Sequence, residues 1–112
     1  MRHHIREDWP IGGLSRGVIE CHQLYRYISA YKIGSVEISL SRIVANNMDW
    51  IEKWNARYKT ADLKLPCIVI QDEFSYRLID GRHRLKKALN KGLKALPCHV
   101  LTNQEVLKAY RP

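Results

Sequence analysis

Tyr76-Arg77-Leu78-Ile79-Asp80-Gly81-Arg82-His83-Arg84-Leu85 is the stretch whose reading decides the fold. Tyr76 to Ile79 reads as the second arm of a hairpin. At Asp80-Gly81 the period switches: Leu85, Ala88 and Leu89 follow at helical spacing, and Gly92 is placed to close the helix in the left-handed conformation. A strand running directly into a helix presents unpaired backbone N–H groups and the positive end of the helix dipole at the junction, so an anion fits there. Gly81 lets a phosphate approach the backbone, and the guanidinium forks of Arg82 and Arg84 match phosphate oxygens. His83 adds a group able to donate or accept a proton near neutrality, or it is a surface helix residue. For Asp80 three readings stand: an ordinary N-cap, a ligand for a divalent cation, or the acceptor of a proton from an attacking hydroxyl.

Upstream, Cys67 to Ile70 is a short continuous apolar run, as expected of a strand buried on both faces, and Gln71, Asp72 and Glu73 turn it into the strand that ends at Ile79. Val36, Ile38 and Leu40 alternate with Glu37, Ser39 and Ser41, giving a strand with one wet face that carries Glu37. Between these strands, Asn46 with Asp49 forms a cap for a helix lined by Met48, Ile51, Trp54 and Tyr58, ending before Pro66. From Glu20 to Lys32, the residues Cys21, Leu24, Tyr27, Ile28 and Tyr31 predict a helix whose aromatic stripe packs into the core, the weaker alternative being a platform for stacked bases, with Gly34 as C-cap. Residues 1 to 19, with Pro10, Gly12, Gly13 and Gly17, form an irregular arm. Downstream, Leu96 to Leu101 is a further strand, and Thr102 with Glu105 makes a capping box for a last short helix.

Six cations, Arg82, Arg84, Lys86, Lys87, Lys91 and Lys94, follow Asp80 with no acidic residue before Glu105, so this one segment carries most of the net charge of +8. Such a field attracts a polyanion, nucleic acid or the phosphates of a nucleotide, or it is a solvated helix face. The 112 residues, 46% of them hydrophobic, suffice for one domain with one core and no staples. Cys21, Cys67 and Cys98 are an odd number with no C-x-x-C pair, and two lie in apolar runs, which indicates a reducing cytoplasm. Arg2 and Arg6 are followed by Glu7, Asp8, Trp9 and Pro10 instead of an apolar run, so neither secretion nor membrane insertion is expected. Zinc-ligand spacing is absent around Cys21-His22 and Cys98-His99.

The stretch Pro66 to Ile70, the stretch Tyr76 to Leu85, then Ala88, Gly92, Leu93 and Leu96 to Val100, together with the opening strand Val36 to Ile43, resemble the ParB/sulfiredoxin-like superfamily in the D-G-x-H-R form of its motif. The resemblance covers about residues 35 to 101. It implies a small single-domain α/β fold, a mixed sheet with packed helices, over residues 35–112, with residues 1–34 an arm and helix outside it. It also implies a nucleotide-phosphate site at Gly81, Arg82, His83 and Arg84. Activities in that superfamily include CTP-dependent DNA clamps, nucleases, sulfinic-acid reductases and small-molecule kinases, so the likeness speaks for phosphate binding more than for one reaction. Sulfiredoxins have a Cys where this chain has Arg82, which argues against sulfinic-acid repair. Chromosome-segregation ParB proteins have a more arginine-rich box and a following helix-turn-helix, which this sequence, reaching Pro112, does not show. Free-serine kinases are similar in the motif form and in an acidic residue on the opening strand, positions matched by Asp80 and Glu37.

The expected function is phosphoryl chemistry on a nucleotide or on DNA, by NTP hydrolysis, phosphoryl transfer or phosphodiester cleavage. Asp80, His83 and Glu37 are the catalytic candidates, and Asp80 is the candidate metal ligand. ATP, ADP or CTP with Mg²⁺ is the expected cofactor set. Lys86, Lys87, Lys91 and Lys94 are the candidate nucleic-acid contacts. The alternative is a binding module that holds DNA or a nucleotide without turnover. A protein-interaction role for Trp9, Trp50 and Trp54 has less support, since two of them fall on the periodic helix and are expected to pack inward. Stand-alone domains of this kind are typical of phages and plasmids, by analogy alone.

Overall fold

The computed structural model describes residues 4–5, 19–46, 48 and 51–110. β1 (His4–Ile5) pairs antiparallel with β2 (Ile19–Glu20), which leads straight into α1 (Cys21–Ala30). Then come β3 (Val36–Ser39), a single 3-10 turn (Leu40–Arg42), β4 (Ile43–Val44), α2 (Ala56–Thr60), β5 (Cys67–Gln71), β6 (Tyr76–Asp80), α3 (Arg82–Asn90), β7 (Ala95–Leu101) and α4 (Asn103–Tyr110). Five strands form one mixed sheet in the order β3-β7-β5-β6-β4. β5 lies at its centre, parallel to β7 and antiparallel to its hairpin partner β6.

The continuous apolar run of β5 is explained by burial on both faces. Ile68 and Ile70 face a layer made by Leu24 and Ile28 of α1 and Val106 of α4, which also takes Ile79 and Leu101. Cys67 and Val69 face the other layer, with Leu85 and Ala88 of α3, Leu78, Leu96 and Cys98. Alternation along one strand thus feeds two cores, and the small α/β fold expected from the sequence is the fold observed. Leu24 and Ile28 show that α1, which lies outside the sequence resemblance, builds one of those cores.

One irregularity positions the site. Ile68 pairs with Asp80 but Val69 pairs with Leu78, so Ile79 is an extra residue, a β-bulge on β6. Strict alternation would put Asp80 on the α3 side with Leu78. The bulge places Ile79 and Asp80 both on the α1 side.

Among the described residues 46, 48 and 51–55, the helix expected from Asn46 is not formed. α2 starts ten residues later, where the Asn55 side chain accepts from Arg57 N at 2.9 Å and Tyr58 N at 3.3 Å. Residues 51–55 are turn and coil; Ile51 is buried, whereas Trp54 is 73% exposed, contrary to the inward packing expected of it. Asp49 and Trp50 lie outside the described residues, as do Trp9 and most of the expected arm. At the end of α1 it is Lys32, with φ 52°, and not Gly34 that takes the left-handed conformation, because the helix already ends at Ala30; two other local expectations hold. Gly92 has φ 74°, and Thr102 and Glu105 bond reciprocally at 3.0 and 3.1 Å. Among the described residues no helix is long and apolar enough to cross a membrane.

Candidate nucleotide-phosphate site

The junction between β6 and α3 is built on Gly81, which occupies the N-cap position with φ 120° and ψ 25°. That conformation disfavours any side chain, and a Cβ here would lie 2.5 Å from Cys67 Sγ, so glycine is required twice over. Because the N-cap has no side chain, no side-chain hydrogen bond caps α3. The reading of Asp80 as an N-cap is therefore corrected: its carboxylate serves other partners.

Those partners arrive from both helical layers. The Tyr25 hydroxyl of α1 donates to Asp80 Oδ2, and Arg84 Nη2 donates to the same oxygen at 3.2 Å while lying 3.5 Å from the Tyr25 hydroxyl. Arg84 Nη1 donates to the carbonyls of Leu65 at 3.0 Å and Pro66 at 2.6 Å, where the chain approaches β5. Asp80 and Arg84 side chains are each 16% exposed. In such surroundings a charge pair is worth keeping whole, since removing one partner strands the other. Burial, reinforced by the charge of Asp80, pushes the Tyr25 phenol above its usual range, so it stays a proton donor to the carboxylate. Burial works against the charge of Arg84, but its hydrogen bond to Tyr25 and the fields of its neighbours, Asp80 among them, hold it firmly protonated.

Arg82 donates through Nε to Asn46 O at 3.0 Å. His83, in the first turn of α3, has its pKa lowered from 6.5 by burial and then by the charge of Arg57, against the pull of Asp80, so its imidazole is neutral at pH 7. Gly81, Arg82, His83 and Arg84 thus stand together at the start of α3. Glu37 sits on the exposed side of β3, opposite Pro97, with no hydrogen bond or ion pair to Asp80; the Cys98 thiol is pushed up by its hydrogen bond with Cys67 and by burial, with the charge of Glu37 a lesser cause. The lysines divide. Lys87 Nζ donates to Lys59 O at 2.9 Å and Ala61 O at 3.0 Å, closing the end of α2. Lys86 is half-buried on α3, and Lys91 and Lys94 are exposed beyond its end.

Sequence reasoning missed Tyr25, which lies 55 residues from its partner and just off the apolar stripe of α1. The only sequence signal is an aromatic residue with a polar tip flanking that stripe, which many helices carry. It missed Cys67 as the neighbour of Gly81 as well. Among the described residues no group of three or more His, Cys, Asp or Glu side chains could hold a metal. Asp80 Oδ2 already accepts two hydrogen bonds, from Tyr25 and Arg84.

A mixed five-stranded sheet between α1/α4 and α3, with the motif at a strand-to-helix junction, defines the ParB/sulfiredoxin-like fold, and this chain has it. Sulfiredoxin from Arabidopsis thaliana is similar at a TM-score of 0.51 and 21% identity, over 70% of this chain and 98% of that one. Two structures of the C-terminally truncated chromosome-partitioning protein ParB from Caulobacter crescentus, one with CTP-γ-S and one with the centromeric parS site, are similar over 67% of this chain. Their TM-scores are 0.45 and 0.44 and their identities 21% and 24%, and the chain spans 49% and 44% of their length. At these identities what is shared is the fold. No protein-family model and no curated protein matches the chain.

Proposed function

We propose that this chain is a nucleotide-binding ParB-like domain that holds nucleotide phosphates at the first turn of α3 and acts on them by phosphoryl chemistry. The observation that carries the reading is the uncapped start of α3, where backbone N–H groups meet Arg82, His83 and Arg84 beside a carboxylate. Gly81 and the first-turn N–H groups would cradle a phosphate, with Arg82 and Arg84 neutralising it. Asp80 Oδ2 is occupied, and among the described residues Oδ1 accepts no hydrogen bond, so Oδ1 is the atom suited to take a proton or to touch Mg²⁺. Mg²⁺ would then enter with the phosphates of ATP, ADP or CTP, which supply its other ligands. Neutral His83 is the second proton carrier, and Glu37 requires the substrate itself to bridge to it. Lys86, Lys91 and Lys94 would give the module its contacts if the phosphates belong to DNA, while Lys87 contributes charge from its place at the end of α2. Free Cys67 and Cys98 support a reducing compartment.

The second reading, a module that binds without turnover, is favoured by the commitments of Arg84: two backbone carbonyls and Asp80 already hold its fork. Calorimetry with ATP, ADP and CTP, with and without Mg²⁺, alongside phosphate release and DNA nicking, decides between them. Turnover that Asp80→Asn abolishes while binding persists establishes the enzyme. Binding of nucleotide or DNA without turnover establishes the module, and absence of binding to both overturns both readings.

A further inference from the structure

The aromatic residues of α1 do not all pack inward as their spacing predicts. Tyr27 is half-buried and Tyr31 is 68% exposed, and their rings lie 4.5 Å apart between centroids at an angle of 37°. They line an open groove of about 700 Å³ between α1 and α4, together with Gln23, Arg26 and Lys108. Three properties define what fits. A tilted pair with one ring largely in solvent offers a π-face to a flat partner. Arg26 and Lys108 are both exposed and add positive charge from the two helices. Among the described residues no carboxylate lines the groove; the carboxylate whose charge reaches Tyr27, that of Glu105, already accepts from Thr102 N at 3.0 Å.

We propose that this groove is a binding site for single-stranded nucleic acid, with a base stacked on Tyr31 and neighbouring phosphates paired with Arg26 and Lys108. A flat ligand with negative charge on either side satisfies all three properties, and unpaired nucleotides in a strand have that form. Duplex DNA does not, because its base faces are covered by their own stacking. A strand also suits an open groove better than a free nucleotide, since each added phosphate meets the field of a chain at +8. The site is separate from the motif: Tyr25, on the other flank of α1, is the residue that faces Asp80.

The test is fluorescence anisotropy of a labelled oligothymidine about 12 nucleotides long, and of a duplex of equal length, with the whole chain at low salt. The strand is expected to bind more tightly than the duplex. Tyr31→Ala should weaken strand binding about 5- to 100-fold, and Tyr31→Phe should retain it, because the ring and not the hydroxyl stacks. Arg26→Gln with Lys108→Gln should reduce the slope of log K on log salt by about 1.4. Tyr31→Ala should leave nucleotide binding at the motif unchanged, which separates failure of this site from failure of the other. Strand binding that is absent, no tighter than duplex binding, or indifferent to Tyr31→Ala overturns the proposal. So does a Tyr31→Phe variant as weak as Tyr31→Ala, or a salt slope that the charge variants leave in place.

Discussion

The chain passes from strand to helix twice in the same half of the sequence, at β6–α3 and at β7–α4, and it finishes the two junctions differently. At β7–α4, Thr102 and Glu105 satisfy each other's backbone N–H groups, the usual way to close a helix start. At β6–α3 the N-cap is a glycine at φ 120°, no side chain caps the turn, and the nearby carboxylate is held by Tyr25 and Arg84 instead. A capping box closes a junction with its own side chains; the glycine junction leaves its donors to whatever approaches. Glycine at β6–α3 is imposed by Cys67 as well, so the same residue serves packing and openness.

The largest effect that would sharpen this contrast is Gly81→Ala. It combines an unfavourable φ with a 2.5 Å approach to Cys67 Sγ, so it should cost about 2–5 kcal/mol in denaturant unfolding. Gly92→Ala, also at positive φ but with open space around it, should cost about 1 kcal/mol. Equal costs would show that Cys67 yields and that packing does not dictate the glycine.

Arg84→Lys comes next. It keeps the charge but loses the fork that reaches Leu65 O, Pro66 O and Asp80 at once, so stability should fall by about 1.5–3 kcal/mol and nucleotide binding at least about tenfold. Lys94→Ala, beyond the far end of α3, should leave both within error; matching losses would mean that charge alone matters. Thr102→Ala should cost about 1 kcal/mol without touching ligand binding, because that junction is purely structural.

The smallest effect is pH dependence at His83. Its folded pKa lies below the unfolded 6.5, so the unfolded chain binds the proton more readily. Stability should therefore decline as pH drops below 6.5, until the folded pKa is passed. His83→Gln should flatten that part of the melting-temperature profile, and an unchanged profile would assign the decline to other groups.

How much of this was legible follows from the range of each interaction. The Thr102–Glu105 box, Gly92 and the doubly buried β5 rest on neighbours a few residues apart, and the sequence displays them directly. Asn46 misled because apolar spacing through Met48, Ile51, Trp54 and Tyr58 is helical, whereas Asn55 offers the cap that two backbone N–H groups take up. Trp54 is then left in solvent. At the site, the motif residues were visible because they are contiguous. Tyr25 was not, because nothing in local spacing connects a tyrosine on α1 with a carboxylate 55 positions later.

Ile79 carries a consequence for how such a site is inherited. Because it is the extra residue on β6, losing its single codon would restore strict pairing and leave β5 and β6 able to form a regular ladder. Asp80 would then follow Leu78 directly and stay opposite Ile68, on the α1 side with Tyr25, while the core against α1 would lose the Ile79 side chain. One in-frame deletion, with no substitution anywhere, would thus empty a core position beside α1 yet leave the carboxylate facing Tyr25, so the carboxylate can outlast the bulge.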